Sequence, residues 1–179
     1  MALINTVSLA EAEGSVKEGY EMFMKNIGII PKPMEMMSAS PALFDIQYQR
    51  IRYFSRHPTL SFSLLAHIRY LVSHRLNYSF CMDFNRHILK RQGVGDEDLR
   101  RVEADPSQSL LEENEGAMLA FVVRAVQDPA SITEDDIRGL RDLGWEDRDM
   151  VDALSQGVSM IDHSIMMQVF KIDQNCMIA

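Results

Sequence analysis

Apolar residues recur at three- and four-residue spacing along almost the whole chain, and no segment sustains the alternation of a half-buried strand. The pattern predicts helices separated by caps and breakers. Ser8 is read as the cap of a first helix through LAEAEGSVKEGYEMFMKN, with acids early and Lys25 late, as the helix dipole prefers. Gly28 and the turn Pro31-Lys32-Pro33 stop it. Ser40-Pro41 opens a helix to about Arg56, where His57-Pro58 breaks it. Thr59 or Ser61 opens the next, through LLAHIRYLVSHRL to about Leu76, with Leu64, Leu65, Ile68, Leu71 and Val72 as its buried stripe.

Asn77 or Ser79 caps a further helix that ends near Gln92-Gly93. Residues 95–103 are short and acidic, enough for one or two turns. Ser109 begins a long helix through EENEGAMLAFVVRAVQ, ended by Asp128-Pro129. Thr133, followed by Glu134, Asp135 and Asp136, opens a helix to Leu143-Gly144, and Trp145 leads into a last long one. There is no internal repeat and no linker, so the expectation is one all-α domain spanning residues 1–179.

Composition agrees. A 179-residue chain with 46% hydrophobic and 25% charged residues has the profile of a globular domain with a real core, not of a disordered chain. Thirteen methionines suit the irregular gaps between helices. No apolar run reaches the ~20 residues of a bilayer-spanning helix, and MALINTVSLAEAEGS carries no secretory pattern. With two cysteines, read as reduced thiols, this predicts a cytoplasmic protein.

Charge sharpens the picture. The net charge of −8 disfavours nucleic acid and anionic membranes as partners. Residues 50–91 hold eight Lys/Arg against the single acid Asp83, whereas residues 96–149 hold sixteen Asp/Glu against six Arg. Three readings fit: complementary surfaces that meet in a symmetric oligomer, a basic patch for an anionic small molecule, or solvated helix faces.

Candidate chemistry gathers in NYSFCMDFNRH. Cys81 falls in the first turns of its helix, where the positive end of the dipole favours the reactive thiolate; a lone cysteine is more often inert packing than a nucleophile. Tyr78 and Asn85 share its face but neither is a base near neutral pH. His67 and His74, seven apart on the preceding helix, are the candidates for proton transfer. Arg69, Arg75 and Arg86 are candidates for binding a carboxylate. Asp162-His163 is a polar pair in an apolar stretch. No metal set, phosphate loop or nucleophile elbow is present, so no metal and no cofactor is expected.

Three blocks carry a resemblance. They are VSLAEAEGSVKEGYEMFMKNIGIIPKPMEMMSASPAL, LLAHIRYLVSHRLNYSFCMDFNRHILKRQGV and EGAMLAFVVRAVQDPASITEDDIRGLRDLGWEDRDMVDAL. Together they resemble the carboxymuconolactone decarboxylase family in its alkylhydroperoxidase D-like, peroxidase-related branch. The resemblance implies an all-helical fold with a helix-hairpin core and homo-oligomers, from dimers to trimers or hexamers. Redox members of that family use a Cys-x-x-Cys pair, a histidine four residues on and a glutamate on the preceding helix. Position by position, the second cysteine is Cys81, the first falls on Tyr78, the histidine on Asn85 and the glutamate near Ala66.

The resemblance thus implies a thiol-dependent, peroxiredoxin-type peroxidase working through one cysteine. Its substrate would be a peroxide, and an external thiol or Cys176 would resolve the oxidised sulfur. Two alternatives stand beside it: a decarboxylase-like enzyme or binder of a small anionic metabolite, and a catalytically silent oligomer.

Overall fold

A computed structural model describes residues 2–173. Among these residues there is no strand; the fold is all-α, and no helix is long and apolar enough to cross a membrane. The chain divides into two compact units. One runs to His57 and takes up the chain again from Ile165; the other is Pro58–Ser164.

In the first unit, α1 (Gly14–Ile27), α2 (Lys32–Met37) and α3 (Pro41–Phe54) pack together. Gly19 lets the Phe44 ring lie against α1: a Cβ there would come within 2.6 Å of it. Tyr20 meets Phe44 edge-on at 5.7 Å and donates its hydroxyl to Val7 O at 3.0 Å. Met34, Met36 and Met37 are buried, as the methionine count suggested.

Two boundaries here differ from the sequence expectation. Ser8 does not cap α1: its hydroxyl donates to Glu11 at 2.6 Å in an isolated turn, and Glu13, extended at φ −131° and ψ 163°, is the N-cap residue of the helix. The Pro31-Lys32-Pro33 segment, read as a breaker, opens α2 instead. Proline lacks only an N–H that the first turn leaves unused, so it starts a helix as readily as it ends one. Gly28 does terminate α1, in the left-handed conformation, with its N–H on Met24 O at 3.1 Å.

The second unit holds α4 (Phe62–Arg75), α5 (Ser79–Arg91), α6 (Asp96–Ala104), α7 (Glu113–Gln127), α8 (Glu134–Asp142) and the start of α9 (Asp147–Val169). Ser61 caps α4, its hydroxyl accepting from Leu64 N at 3.0 Å. The expected stripe is buried, but so are Ala66, His67, Tyr70 and Ser73. Helix α4 is enclosed nearly all round, and α5, α6 and α7 pack against it. Gly157 of α9 would, with a Cβ, clash with Val122 at 2.7 Å.

Helix α7 starts at Glu113 and not after Ser109: a 3₁₀ turn at Pro106–Gln108 precedes Ser109, residues 110 and 111 bend, and Glu112 is the N-cap residue. Thr133 opens α8 with a capping box: Asp136 accepts from Thr133 N at 2.8 Å. Asp162 is exposed and His163 buried, so that sequence pair divides between two environments.

Candidate functional site

The connection between α4 and α5 is only Leu76, Asn77 and Tyr78. Asn77 turns the chain at φ +52°, in the left-handed region that Asn tolerates well, and Tyr78 N donates to Ser73 O at 2.9 Å. This tight reversal lays α5 back along α4. Tyr78, at φ −85° and ψ 86°, is the N-cap residue, so Cys81 is the third residue of a 13-residue helix. Its place in the first turn, expected from the sequence, is met, and its residue exposure is 6%.

Asn85 lies one turn further along and is wholly buried. Its Nδ2 donates to Cys81 O at 2.8 Å, and its Oδ1 accepts from Arg69 Nε at 2.8 Å. A guanidinium only donates, so the amide orientation is fixed by chemistry. Arg69 therefore reaches from α4 into the Cys81 region. Part of the residue stays exposed, but its charge centre is deeply enclosed: burial pulls its pKa down to about 10, and negative charge on Cys81 opposes that fall. Among the described residues no carboxylate pairs with it.

Tyr78 completes the group. It is 0% exposed, and its hydroxyl makes no hydrogen bond of normal geometry, although the Cys81 sulfur is close enough to act on it. Burial foremost, then Cys81, raises its pKa far above the ordinary phenol value. Tyr78, Cys81, Asn85 and Arg69 form one buried cluster.

The other predicted residues lie in different company. His67 is buried, with Nδ1 2.9 Å from Ser63 O. A carbonyl only accepts, so that nitrogen carries the proton. Burial lowers the His67 pKa, and the Ser63 bond and Glu115 oppose that fall. His74 Nε2 sits 3.7 Å from Glu103 Oε2, its ring tilted against Tyr70. Tyr70 Oη also donates to Glu103, and Arg75 donates to Glu103 O at 2.7 Å. Arg86 donates to Asp96 at 3.0 Å, and Lys90 binds the same carboxylate at 2.9 Å.

The three arginines thus do not converge on one anion site. Arg75 and Arg86 are held by α6, through the Glu103 carbonyl and the Asp96 carboxylate; Asp96 neutralises part of the basic segment within one chain, an arrangement beyond the oligomer contacts, ligand or solvent expected from the sequence. What it missed was Arg69 as a neighbour of Cys81. One signal was available: Arg69 lies one helical turn beyond Ala66, the position where the resemblance had looked for a glutamate, and so shares its face. Cys176 lies outside the described residues. Among those described, no cluster of His, Cys, Asp and Glu suits a metal ion. A surface depression of about 530 Å³ is lined by Ile132, Thr133, Glu134, Ile137, Arg138 and Arg141, and none of the residues above lines it.

No protein-family model matches the chain. No curated protein matches it either. Solved structures do. One is the alkylhydroperoxidase AhpD core of an uncharacterized peroxidase-related protein from Ralstonia eutropha JMP134. It superposes with a TM-score of 0.81 at 15% identity, over 97% of this chain and 92% of that one. Another is an uncharacterized peroxidase-related protein from Silicibacter sp. TM1040, with a TM-score of 0.82 at 14% identity, over 99% and 93%. Near-complete superposition at so low an identity shows that this chain has the alkylhydroperoxidase D-like helical fold.

Proposed function

We propose that the protein is a thiol-dependent, peroxidase-like enzyme in which Cys81 reacts with hydroperoxides. The observation that carries the reading is the enclosed Arg69 guanidinium, without a carboxylate partner, acting on a cysteine in the first turn of a helix. Positive charge and the helix end both favour thiolate, and thiolate is the nucleophile; burial works against them. The names of the structural relatives, both peroxidase-related, lend support.

In this reading Cys81 is oxidised to a sulfenic acid, and an external thiol reduces it through a mixed disulfide. Tyr78 stands where a second cysteine would resolve it, so the reductant comes from elsewhere. His67 and His74 are spared as bases, since a thiolate already formed needs none. The protein acts as a cytoplasmic, antioxidant homo-oligomer that takes small hydroperoxides. The test is hydroperoxide consumption with a dithiol reductant, comparing the wild type with Cys81→Ser. The wild type is expected to turn over and the variant to fall to the uncatalysed rate; equal rates sink the reading.

A second reading, binding of a small anionic metabolite, is favoured by the same unpaired guanidinium. It predicts thermal stabilisation by one of a panel of aromatic or aliphatic acids, lost in Arg69→Gln. A protein with neither turnover nor ligand stabilisation is the silent oligomer.

A further inference from the structure

Two hydrogen-bond donors without anionic partners surround Cys81. The Arg69 guanidinium gives its Nε to Asn85 Oδ1 at 2.8 Å and pairs with no carboxylate among the described residues. The Tyr78 hydroxyl, on a residue that is 0% exposed, has no acceptor of normal geometry. An enclosed cation without a carboxylate, and a buried phenol whose neighbouring acceptor is the Cys81 sulfur at other than normal geometry, are each unfavourable. Both occur beside one sulfur, at the N-terminal end of a helix, whose dipole favours negative charge. Such an arrangement suits a site on which negative charge develops.

Resting on the peroxidase reading, we infer that Arg69 and Tyr78 are its charge-stabilising residues: Arg69 holds the Cys81 thiolate, and both donate to the oxygen expelled from a small hydroperoxide. The Cys81 sulfur attacks the terminal oxygen of ROOH. A sulfur–oxygen bond forms as the oxygen–oxygen bond breaks, and two electrons pass from sulfur to the peroxide. The peroxide hydrogen stays on the new sulfenic acid, and the expelled RO⁻ takes a proton from water to give ROH. Arg69 and Tyr78 lend hydrogen bonds without releasing protons. Asn85 positions Arg69 through its Nε, which leaves the remaining guanidinium N–H groups for sulfur and oxygen. Fixed charge thereby replaces a titrating base, consistent with His67 and His74 being engaged by Ser63 and Glu103.

Two measurements on the full chain separate these roles. Iodoacetamide alkylation of Cys81 against pH reads thiolate without any peroxide. Rapid-quench oxidation of Cys81 by hydrogen peroxide reads the second step. Arg69→Gln, which can still donate to Asn85, is expected to slow alkylation at neutral pH about tenfold, a rise of about one unit in the thiol pKa, while Arg69→Lys restores most of it. Tyr78→Phe is expected to slow oxidation by peroxide about tenfold and to change alkylation much less.

An Arg69→Gln profile superimposable on the wild type overturns the role of Arg69. A Tyr78→Phe variant oxidised at the wild-type rate overturns that of Tyr78. Circular dichroism checks each fold, and if Arg69→Gln does not fold, Arg69→Lys and Tyr78→Phe decide. A wild type inert to peroxide, whose alkylation still depends on Arg69, removes the peroxidase reading and upholds the charge pairing.

Discussion

Arg69 and Tyr70 are neighbours on α4, and Asn85 and Arg86 are neighbours on α5, yet they build two opposite environments. About 100° of rotation per helical residue sends each pair apart. Arg69 and Asn85 join Cys81 and Tyr78 in a cluster without a carboxylate. Tyr70 and Arg86 face α6, where Glu103 and Asp96 supply carboxylates. Arg69 is pulled down to about 10 by lost water, whereas Arg86 is raised, chiefly by its hydrogen bond to Asp96. Tyr70 donates to a carboxylate; Tyr78 donates to no acceptor of normal geometry. The contrast teaches that one residue type serves opposite ends. Next to an acid a cation is satisfied and spent, and shut in with a thiol it remains available for chemistry.

The comparison can be broken most readily at Asn85. Asn85→Ala removes the acceptor from an enclosed guanidinium and is expected to cost about 2–3 kcal/mol in urea unfolding. A loss below about 0.5 kcal/mol would mean that Arg69 finds water or another acceptor, and the cluster is not closed. The two tyrosines give the next largest effect. Tyr70→Phe deletes a donor to a charged acceptor and should cost about 1.5–2 kcal/mol, while Tyr78→Phe deletes an unpaired hydroxyl and should leave stability unchanged or slightly higher. Equal losses would erase the distinction between paired and unpaired phenols.

Smaller changes sharpen the α6 side. Arg86→Gln should cost about 0.5 kcal/mol at low salt and almost nothing at high salt, because its ion pair is largely exposed. Last is a pH effect. Hydrogen bonds from Lys90 and then Arg86 hold Asp96 below the ordinary carboxylate value of 3.8. The folded chain therefore binds that proton less readily than the unfolded one. The contribution is complete above 3.8 and is lost as pH falls through the depressed folded value. Melting temperatures of the wild type and Asp96→Asn should converge as pH drops through that window; a constant gap contradicts the pairing.

Much of the fold was legible in the sequence because its signals are local. Gly28, Ser61, Pro129 and Thr133 each mark a boundary through their own backbone or side-chain chemistry, and each does so in the structure. Where local signals were ambiguous the reading went astray. Ser8 has an alternative partner in Glu11, and Pro31-Lys32-Pro33 starts a helix as well as it stops one. Around Cys81, its place in the first turn and the shared faces of Tyr78 and Asn85 follow from local spacing. The reading paired the thiol with histidines, however, because histidine is the usual base, and it grouped three arginines by charge alone.

Periodicity and caps, which act over three or four residues, were enough to determine that the chain is all-helical and that α4 and α5 form a hairpin around a cysteine. Which arginine joins the Cys81 cluster depends on the rotation and register of one helix against another, set by side-chain packing across residues far apart in sequence. That choice gives Arg69 to Asn85 beside Cys81, and leaves Arg75 to the Glu103 backbone carbonyl and Arg86 to the Asp96 carboxylate of α6.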